Sequence, residues 1–140
     1  MGRPTMVASS GKPPVPASLT DVGRFWAALS AAFHKAASSK SDLTVLIVET
    51  RDCSPARLEN ITELLLPLTR KDDTVFLPSP RCFVLILPRM ASESAYVLSI
   101  QIVTLLHKNL PDTFFKLSSI CFPEQVSTLE ELEDKLHSFF

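Results

Sequence analysis

The sequence is poor in several residue types, and each shortage excludes a class of protein. Its 140 residues contain 3 glycines, 3 cysteines and 1 tryptophan. No Walker loop, G-x-S-x-G motif or Cys/His dyad can be found in it. Cys53, Cys82 and Cys121 are too few and too scattered for a disulfide framework, and no two of them form a C-x-x-C pair. We therefore interpret the cysteines as reduced thiols.

An excess of charge of either sign is also missing. Lys and Arg number 14 against 15 for Asp and Glu, so nothing indicates a nucleic-acid partner or an anionic membrane surface. The longest apolar runs, Leu43–Val48 and Val84–Leu87, are far shorter than the about 20 residues that a membrane span requires. The N-terminus lacks the apolar core of a signal peptide. We expect a cytoplasmic domain without direct membrane insertion, as an independent protein or as the cytoplasmic domain of a larger one.

What the sequence has is enough apolar residues for one hydrophobic core. Residues 1–17 mix Gly, Pro, Ser and Lys without periodicity and are predicted to be a linker or disordered arm. Residues 18–140 are predicted to form a single domain, since 46% of the chain is apolar and 21% is charged.

The periodicity of the apolar residues predicts an α+β domain. The predicted elements are a helix from Ser18 or Thr20, a strand over Leu43–Thr50, a helix with Ser54 as cap and Pro55 first, strands Thr74–Leu77 and Cys82–Leu87, a helix from Ser92 ending before Pro111, a strand over Phe114–Phe122, and a helix opened by a capping box of Ser127 and Glu130. This is a ferredoxin-like βαββαβ core with an added N-terminal and C-terminal helix, in which an antiparallel sheet carries helices on one face.

A segment within this core resembles a known signature. The run Asp73-Thr-Val-Phe-Leu-Pro-Ser-Pro-Arg-Cys-Phe-Val-Leu-Ile-Leu-Pro88 is similar to D-x-V-x-R-x-G-G-[DE]-E-F-x-x-x-L-P of the diguanylate cyclase (GGDEF) family. That family has the same core with a leading and a closing helix, and the likeness extends from about Thr20 to the C-terminus. The resemblance implies a bacterial signalling domain.

The resemblance also implies that the chemistry is lost. Active members hold two divalent metals through carboxylates at the end of the first strand and in the signature. Glu49 matches the first position, but the signature is degenerate, and its positions hold Ser79, Pro80, Arg81, Cys82 and Phe83. An arginine repels a metal and a thiol prefers softer ions. The connection from Glu49 to Asp73 also lacks roughly ten residues, which in the family include those that read guanine. We expect no enzyme activity, no metal site and no cofactor.

One ligand site of the family has a counterpart here. Many members bind cyclic di-GMP through an R-x-x-D motif before the signature, and Arg70-Lys-Asp-Asp73 has the corresponding spacing. An arginine can contact guanine or phosphate and an aspartate can accept from guanine. An arginine and an aspartate between a helix and a strand also serve ordinary capping and solvation. Both interpretations remain open at this point.

The histidines and Cys82 are weaker candidates for a functional site. His34, His107 and His137 fall on three predicted helices without a second ligand at i+4, so we interpret them as solvated or capping side chains. Cys82 beside Arg81 is either a thiol with a lowered pKa or a buried strand cysteine.

The sequence therefore predicts a catalytically inactive GGDEF-like domain that acts in protein interaction, dimerisation or signal relay within a larger protein, with a protein partner or a second copy. Phe25 and Trp26 on the leading helix are the candidate surface, with core packing as the other use of both rings. The alternative function is a cyclic di-GMP receptor using Arg70 and Asp73. A third class, an enzyme of other chemistry, lacks a convergent acid, base and nucleophile.

Overall fold

The computed structural model describes residues 19–51, 55–79 and 81–140. The predicted arm over residues 1–17 and the predicted helix cap Ser54 lie outside this part of the chain, as do Cys53 and Pro80. Within it the elements are α1 (Leu19–Ser39), β1 (Leu43–Thr50), α2 (Pro55–Leu65), the 3₁₀ turn η1 (Leu66–Leu68), β2 (Thr74–Ser79), β3 (Cys82–Pro88), α3 (Ser92–Asn109), β4 (Phe115–Phe122) and α4 (Leu129–His137). The predicted element order is confirmed.

The four strands form one antiparallel sheet in the order β2-β3-β1-β4. β1 is central and pairs with both β3 and β4, which places Glu49 opposite Cys82 on one side and Lys116 on the other. Seven of the eight residues of β1 are buried, as its near-continuous apolar sequence predicts for a strand covered on both faces. The α+β, ferredoxin-like fold predicted from the sequence is correct.

Helices cover both faces of the sheet, and the expectation of helices on one face was wrong. The crossover helices α2 and α3 share one face, where Ile61 and Ile102 pack against Leu46 and Phe83. The opposite face of the strands is also apolar, with Val45 and Ile47 among its residues, and it is covered by α1 and α4. The two added helices are therefore required, because that face would otherwise expose a second hydrophobic core to water.

The leading helix uses its aromatic face for this packing. Phe25 is fully buried, while Trp26 is half-buried and lies against the rings of His137 and Phe140. Core packing, the second of the two uses predicted for these rings, is what the structure shows. Phe25 is therefore not available as a binding surface in the folded domain.

The capping box of α4 lies one residue later than predicted. The N-cap is Thr128, whose hydroxyl accepts a hydrogen bond from Glu131 N, while the Glu131 carboxylate accepts from Thr128 N. Ser127 adds two hydrogen bonds to the same carboxylate. Both Ser127 and Thr128 have a glutamate three residues on, so sequence alone does not distinguish the two registers.

Candidate functional site

One end of the sheet gathers Glu49 and the two signature positions Ser79 and Arg81. At this end β1 finishes, β2 turns into β3, and β4 begins. We call it the hairpin end and define it as Glu49–Arg51, Ser79, Arg81 and Phe114–Lys116. The Thr50 amide donates to the Arg81 carbonyl at 2.8 Å, and the Arg81 amide donates to the Ser79 hydroxyl at 3.2 Å. These bonds fix the turn against the end of β1.

A cleft of about 430 Å³ opens at the hairpin end. Phe139 and Phe140 complete its wall. They reach the cleft because α4 packs on the face of the sheet that α1 also covers. The lining residues are Glu49, Thr50, Arg51, Ser79, Arg81, Phe114, Lys116, Phe139 and Phe140.

The charge of the cleft is predominantly positive. Arg51, Arg81 and Lys116 are exposed, whereas Glu49 is half-buried and is the single acidic side chain of the lining. None of the three cations forms an ion pair with another described residue. Arg51 instead lies over the ring of Phe114, with its guanidinium carbon 4.7 Å from the ring centroid.

Cys82 and Phe83, the last two signature positions, belong to the core. Cys82 is 1% exposed, and burial, followed by the charge of Glu49, raises the pKa of its thiol to about 12. The thiol therefore stays protonated, and of the two uses predicted for Cys82 the buried strand cysteine is correct. Phe83 is fully buried against α2 and α3.

The hydroxyl of Thr50 differs from the other buried polar side chains in its hydrogen bonding. Thr50 is buried beneath the cleft, and its Oγ1 has no hydrogen-bond partner among the described residues. Buried hydroxyls are normally paired.

Arg70 and Asp73 meet at the opposite end of the sheet, and there they bind each other. The Asp73 carboxylate accepts from Arg70 N at 2.7 Å, from Nη2 at 2.8 Å and from Nε at 3.1 and 3.2 Å. Nη2 also donates to the Pro88 carbonyl at 2.6 Å, so the pair joins the start of β2 to the end of β3. The hydrogen bond to Asp73 is the main cause that raises the pKa of Arg70.

A second ion pair lies beside the first. Arg89 Nη2 donates to Asp72 Oδ2 at 2.6 Å, and this bond lowers the pKa of Asp72. We call this region the corner and define it as Arg70–Asp73, Pro88 and Arg89. The side chain of Asp73 is 1% exposed and that of Arg70 is 43% exposed, so one partner is buried and the other remains accessible.

No protein-family model and no curated protein matches the sequence. Solved structures do match the fold. A DGC protein from Thermotoga maritima superposes with a TM-score of 0.74 at 21% identity over 83% of this chain and 91% of that chain. The GGDEF domain of YfiN from Pseudomonas aeruginosa gives 0.60 at 20% identity over 79% and 73%. The S helix-GGDEF-EAL portion of LapD from Vibrio cholerae, bound to c-di-GMP, gives 0.63 at 14% identity over 89% and 35%.

This chain has the fold of a GGDEF domain. It spans nearly all of the Thermotoga protein but about a third of the LapD chain. The resemblance noted in the signature segment and the three-dimensional likeness therefore agree on the fold.

The donor set at the hairpin end does not fit the two Mg²⁺ ions of the GGDEF family. Magnesium is bound through carboxylates, and the cleft offers Glu49 against three cations. Among the described residues, no three His, Cys, Asp or Glu side chains are grouped so that they could hold a metal. No described helix is long and apolar enough to cross a membrane.

The three histidines stay apart, on α1, α3 and α4. His34 donates from Nδ1 to the Ser30 carbonyl at 2.8 Å, and His137 stacks on Trp26 with ring centroids 4.7 Å apart. The first contact lies within α1, whereas the second joins α4 to α1.

Sequence reasoning missed most of the cleft. Arg51, Phe114 and Lys116 were not singled out, nor was the contribution of the C-terminal rings to its wall. One signal was available, because Arg51 directly follows β1 and Lys116 lies opposite Glu49 in an antiparallel pair. The position of Phe139 and Phe140 depends on which face α4 covers, and the sequence pattern did not determine that.

Proposed function

We propose that this domain is a catalytically inactive GGDEF-fold module that works in protein interaction, dimerisation or signal relay within a larger, cytoplasmic bacterial protein. The proposal is supported chiefly by the charge of the hairpin end, where the family places its metal carboxylates. Arg51, Arg81 and Lys116 lie there with a single acidic residue, Glu49.

Two requirements of nucleotidyl transfer are unmet at this end. Two metals need several carboxylate oxygens, and three cations repel them at this range. The glycines that let backbone approach phosphates are replaced in sequence by Ser79 and Pro80, and a proline has no N–H to donate. The reactive alternative is also absent, because the Cys82 thiol is buried and protonated.

The packed core supports a role that needs the fold but not the chemistry. Both faces of the sheet carry a hydrophobic core, and the residues beneath the degenerate signature are among the best buried of the described residues. A domain that keeps its core and loses its site still presents surfaces, and those surfaces are what we propose it uses.

The test is incubation of the protein with GTP and Mg²⁺, with product detection by chromatography and an active diguanylate cyclase as positive control. We expect no cyclic di-GMP and no linear dinucleotide. Glu49→Gln is the matched control, because activity from this domain would disappear in the variant while activity from a contaminant would not. Product formation that depends on Glu49 would refute the proposal.

A second candidate, a cyclic di-GMP receptor, is supported by the exposed guanidinium of Arg70 beside Asp73. Ligand binding at this pair has to compete with its existing bonds, since the buried carboxylate already accepts four hydrogen bonds from Arg70. Titration calorimetry with cyclic di-GMP tests it against Arg70→Ala, with Arg89→Ala as a matched control from the same corner. Binding lost in Arg70→Ala and kept in Arg89→Ala would support this candidate. Absence of heat from folded protein would leave interaction as the function.

A further inference from the structure

The outward face of α3 is apolar where a surface helix is normally charged. Six large apolar side chains are exposed in the described part of the chain, and three of them lie on this helix. They are Tyr96 at 67% exposure, Val97 at 56% and Ile100 at 48%. The inner face of the same helix is independently satisfied, because Leu98, Ile102 and Leu106 fill the core against the sheet. The outer residues are therefore surplus to the fold.

Charge is absent along most of this helix. No Asp, Glu, Lys or Arg occurs from Ser94 to Leu106, which is more than three turns. Solvent-facing helical positions usually carry charged or polar residues opposite the buried stripe. Charges return only at the two ends, with Glu93 in the first turn and His107 and Lys108 in the last.

The exposed residues follow the spacing of a helix-pairing seam. Glu93, Val97, Ile100, Thr104 and His107 recur at steps of four and three, so they form one stripe along the helix. We call this stripe, together with Tyr96 and Val103, the α3 stripe. Leu66 of η1, which packs beside α3, is also exposed and widens the apolar area.

We propose that the α3 stripe is the docking surface for a second copy of this chain, with the two α3 helices antiparallel about a two-fold axis at Ile100. Such an axis pairs residues whose numbers add to 200. It brings Ile100 against itself and Tyr96 and Val97 against Thr104 and Val103 of the other copy. Each apolar residue thereby meets an uncharged one.

The charges at the two ends of α3 indicate that the partner on the α3 stripe is a second copy of the chain. The same axis places Glu93 of one copy opposite His107 and next to Lys108 of the other, twice by symmetry. A two-fold interface must be self-complementary, and this helix has an acidic start, an uncharged middle and a basic end in the order that an antiparallel pairing requires.

The area of one helix face sets the strength of the association. A contact of four helical turns lies at the low end of specific interfaces, below about 1,200 Å² in total. The isolated domain should therefore exchange between monomer and dimer with concentration. Attachment of two copies to one assembly would raise their effective concentration and favour the pair.

This inference deepens the interaction role proposed above and rests on it, but the two fail in different experiments. Turnover of GTP would refute the proposed function whatever the oligomeric state. A protein that neither turns over GTP nor pairs through α3 would leave the proposed function standing and refute this inference alone.

The experiment is sedimentation velocity of the full 140-residue chain across a wide range of concentrations. We expect a concentration-dependent dimer whose dissociation constant rises by about tenfold or more in Ile100→Glu, because two carboxylates would meet on the axis. Ile100 is half exposed, so the variant should fold with the wild-type circular dichroism spectrum. Phe114→Glu is the matched control, because Phe114 is similarly exposed but lies at the hairpin end.

A charge exchange separates pairing from a general loss of solubility. Glu93→Lys and Lys108→Glu should each weaken the dimer, and the double variant should restore it, since the pair is exchanged across the axis. A monomer at every concentration would overturn the inference. So would a dimer that Ile100→Glu leaves unchanged, or one that the double variant fails to restore.

Discussion

The two ends of the sheet hold similar numbers of charged residues and use them in opposite ways. At the corner, Arg70 and Arg89 are each paired with an aspartate at 2.6 to 2.8 Å. At the hairpin end, Arg51, Arg81 and Lys116 have no ion-pair partner among the described residues. The corner joins β2 to β3 through its charges, whereas the cations of the hairpin end line an open cleft.

This difference separates charges that the fold needs from charges that it does not need. A buried carboxylate such as Asp73 must keep its partners, because an unpaired buried charge is strongly destabilising. Exposed charges at the rim of a cleft have no such requirement. The hairpin end can therefore hold charges of either sign without loss of the fold, and the corner cannot change its pair without a loss of stability.

The largest predicted effect concerns the corner. Arg70→Ala leaves the buried Asp73 carboxylate with one backbone donor in place of the guanidinium, so we expect the free energy of unfolding to fall by about 1–3 kcal/mol. Arg70→Lys, which keeps the charge but loses the two-pronged contact, should lie between wild type and Ala. Urea denaturation measures the series. An Arg70→Ala protein as stable as wild type would contradict the structural role of the pair.

The next prediction concerns the thiol beneath the hairpin end. Because Cys82 is buried and its pKa is raised to about 12, alkylation of this cysteine should be negligible in folded protein at neutral pH. Its rate should rise in proportion to unfolding when urea is added. Mass spectrometry of iodoacetamide-treated protein identifies the modified residue. Rapid labelling of Cys82 in the native protein would show that the hairpin end opens readily.

A smaller effect is expected from acidification of the corner. The pKa of Asp72 is lowered by Arg89, so its contribution to stability is present above the pKa of the unfolded state and is lost as the pH falls through the folded value. Arg89→Ala should flatten the acid limb of the stability curve below the ordinary aspartate pKa of about 4. The difference should shrink at high salt, because both side chains are exposed. An unchanged acid limb would show that the Asp72–Arg89 pair does not contribute to stability.

The smallest effect is expected from the cations of the cleft. Arg51→Ala and Arg81→Ala each remove one unpaired charge from a group of like charges, so stability should stay within about 0.5 kcal/mol of wild type. Thermal unfolding of both variants beside Arg70→Ala is the direct comparison of the two ends. A loss of stability as large as that of Arg70→Ala would mean that the cleft cations are structural and that the two ends do not differ.

Most of the fold follows from the sequence, and the exceptions have physical reasons. β1 was predicted with its observed bounds because eight consecutive residues read as a strand buried on both sides. The start of α4 was wrong by one residue because Ser127 and Thr128 have equivalent acidic partners. The second helical layer was missed because periodicity identifies an apolar helix face but not which face of the sheet it covers.

The candidate site was predictable only in part. The sequence drew attention to Glu49, Ser79 and Arg81, and the structure places all three in the lining of one cleft. The basic cleft needed three separate strands and the C-terminal rings to be brought together. That arrangement is a property of strand register and helix placement rather than of any local motif.

The most direct test of the central claim is calorimetric titration of the protein with GTP in the presence and absence of Mg²⁺, on wild type and Glu49→Gln. If the hairpin end does not hold metal, Mg²⁺ supplied equally in cell and syringe should not strengthen the binding of GTP. Any weak association of GTP with the cationic cleft should instead fall as Mg²⁺ or salt is raised, because Mg²⁺ binds the triphosphate and lowers its negative charge. Binding that requires Mg²⁺ and disappears in Glu49→Gln would contradict the claim and return this domain to the metal-dependent nucleotide-binding proteins.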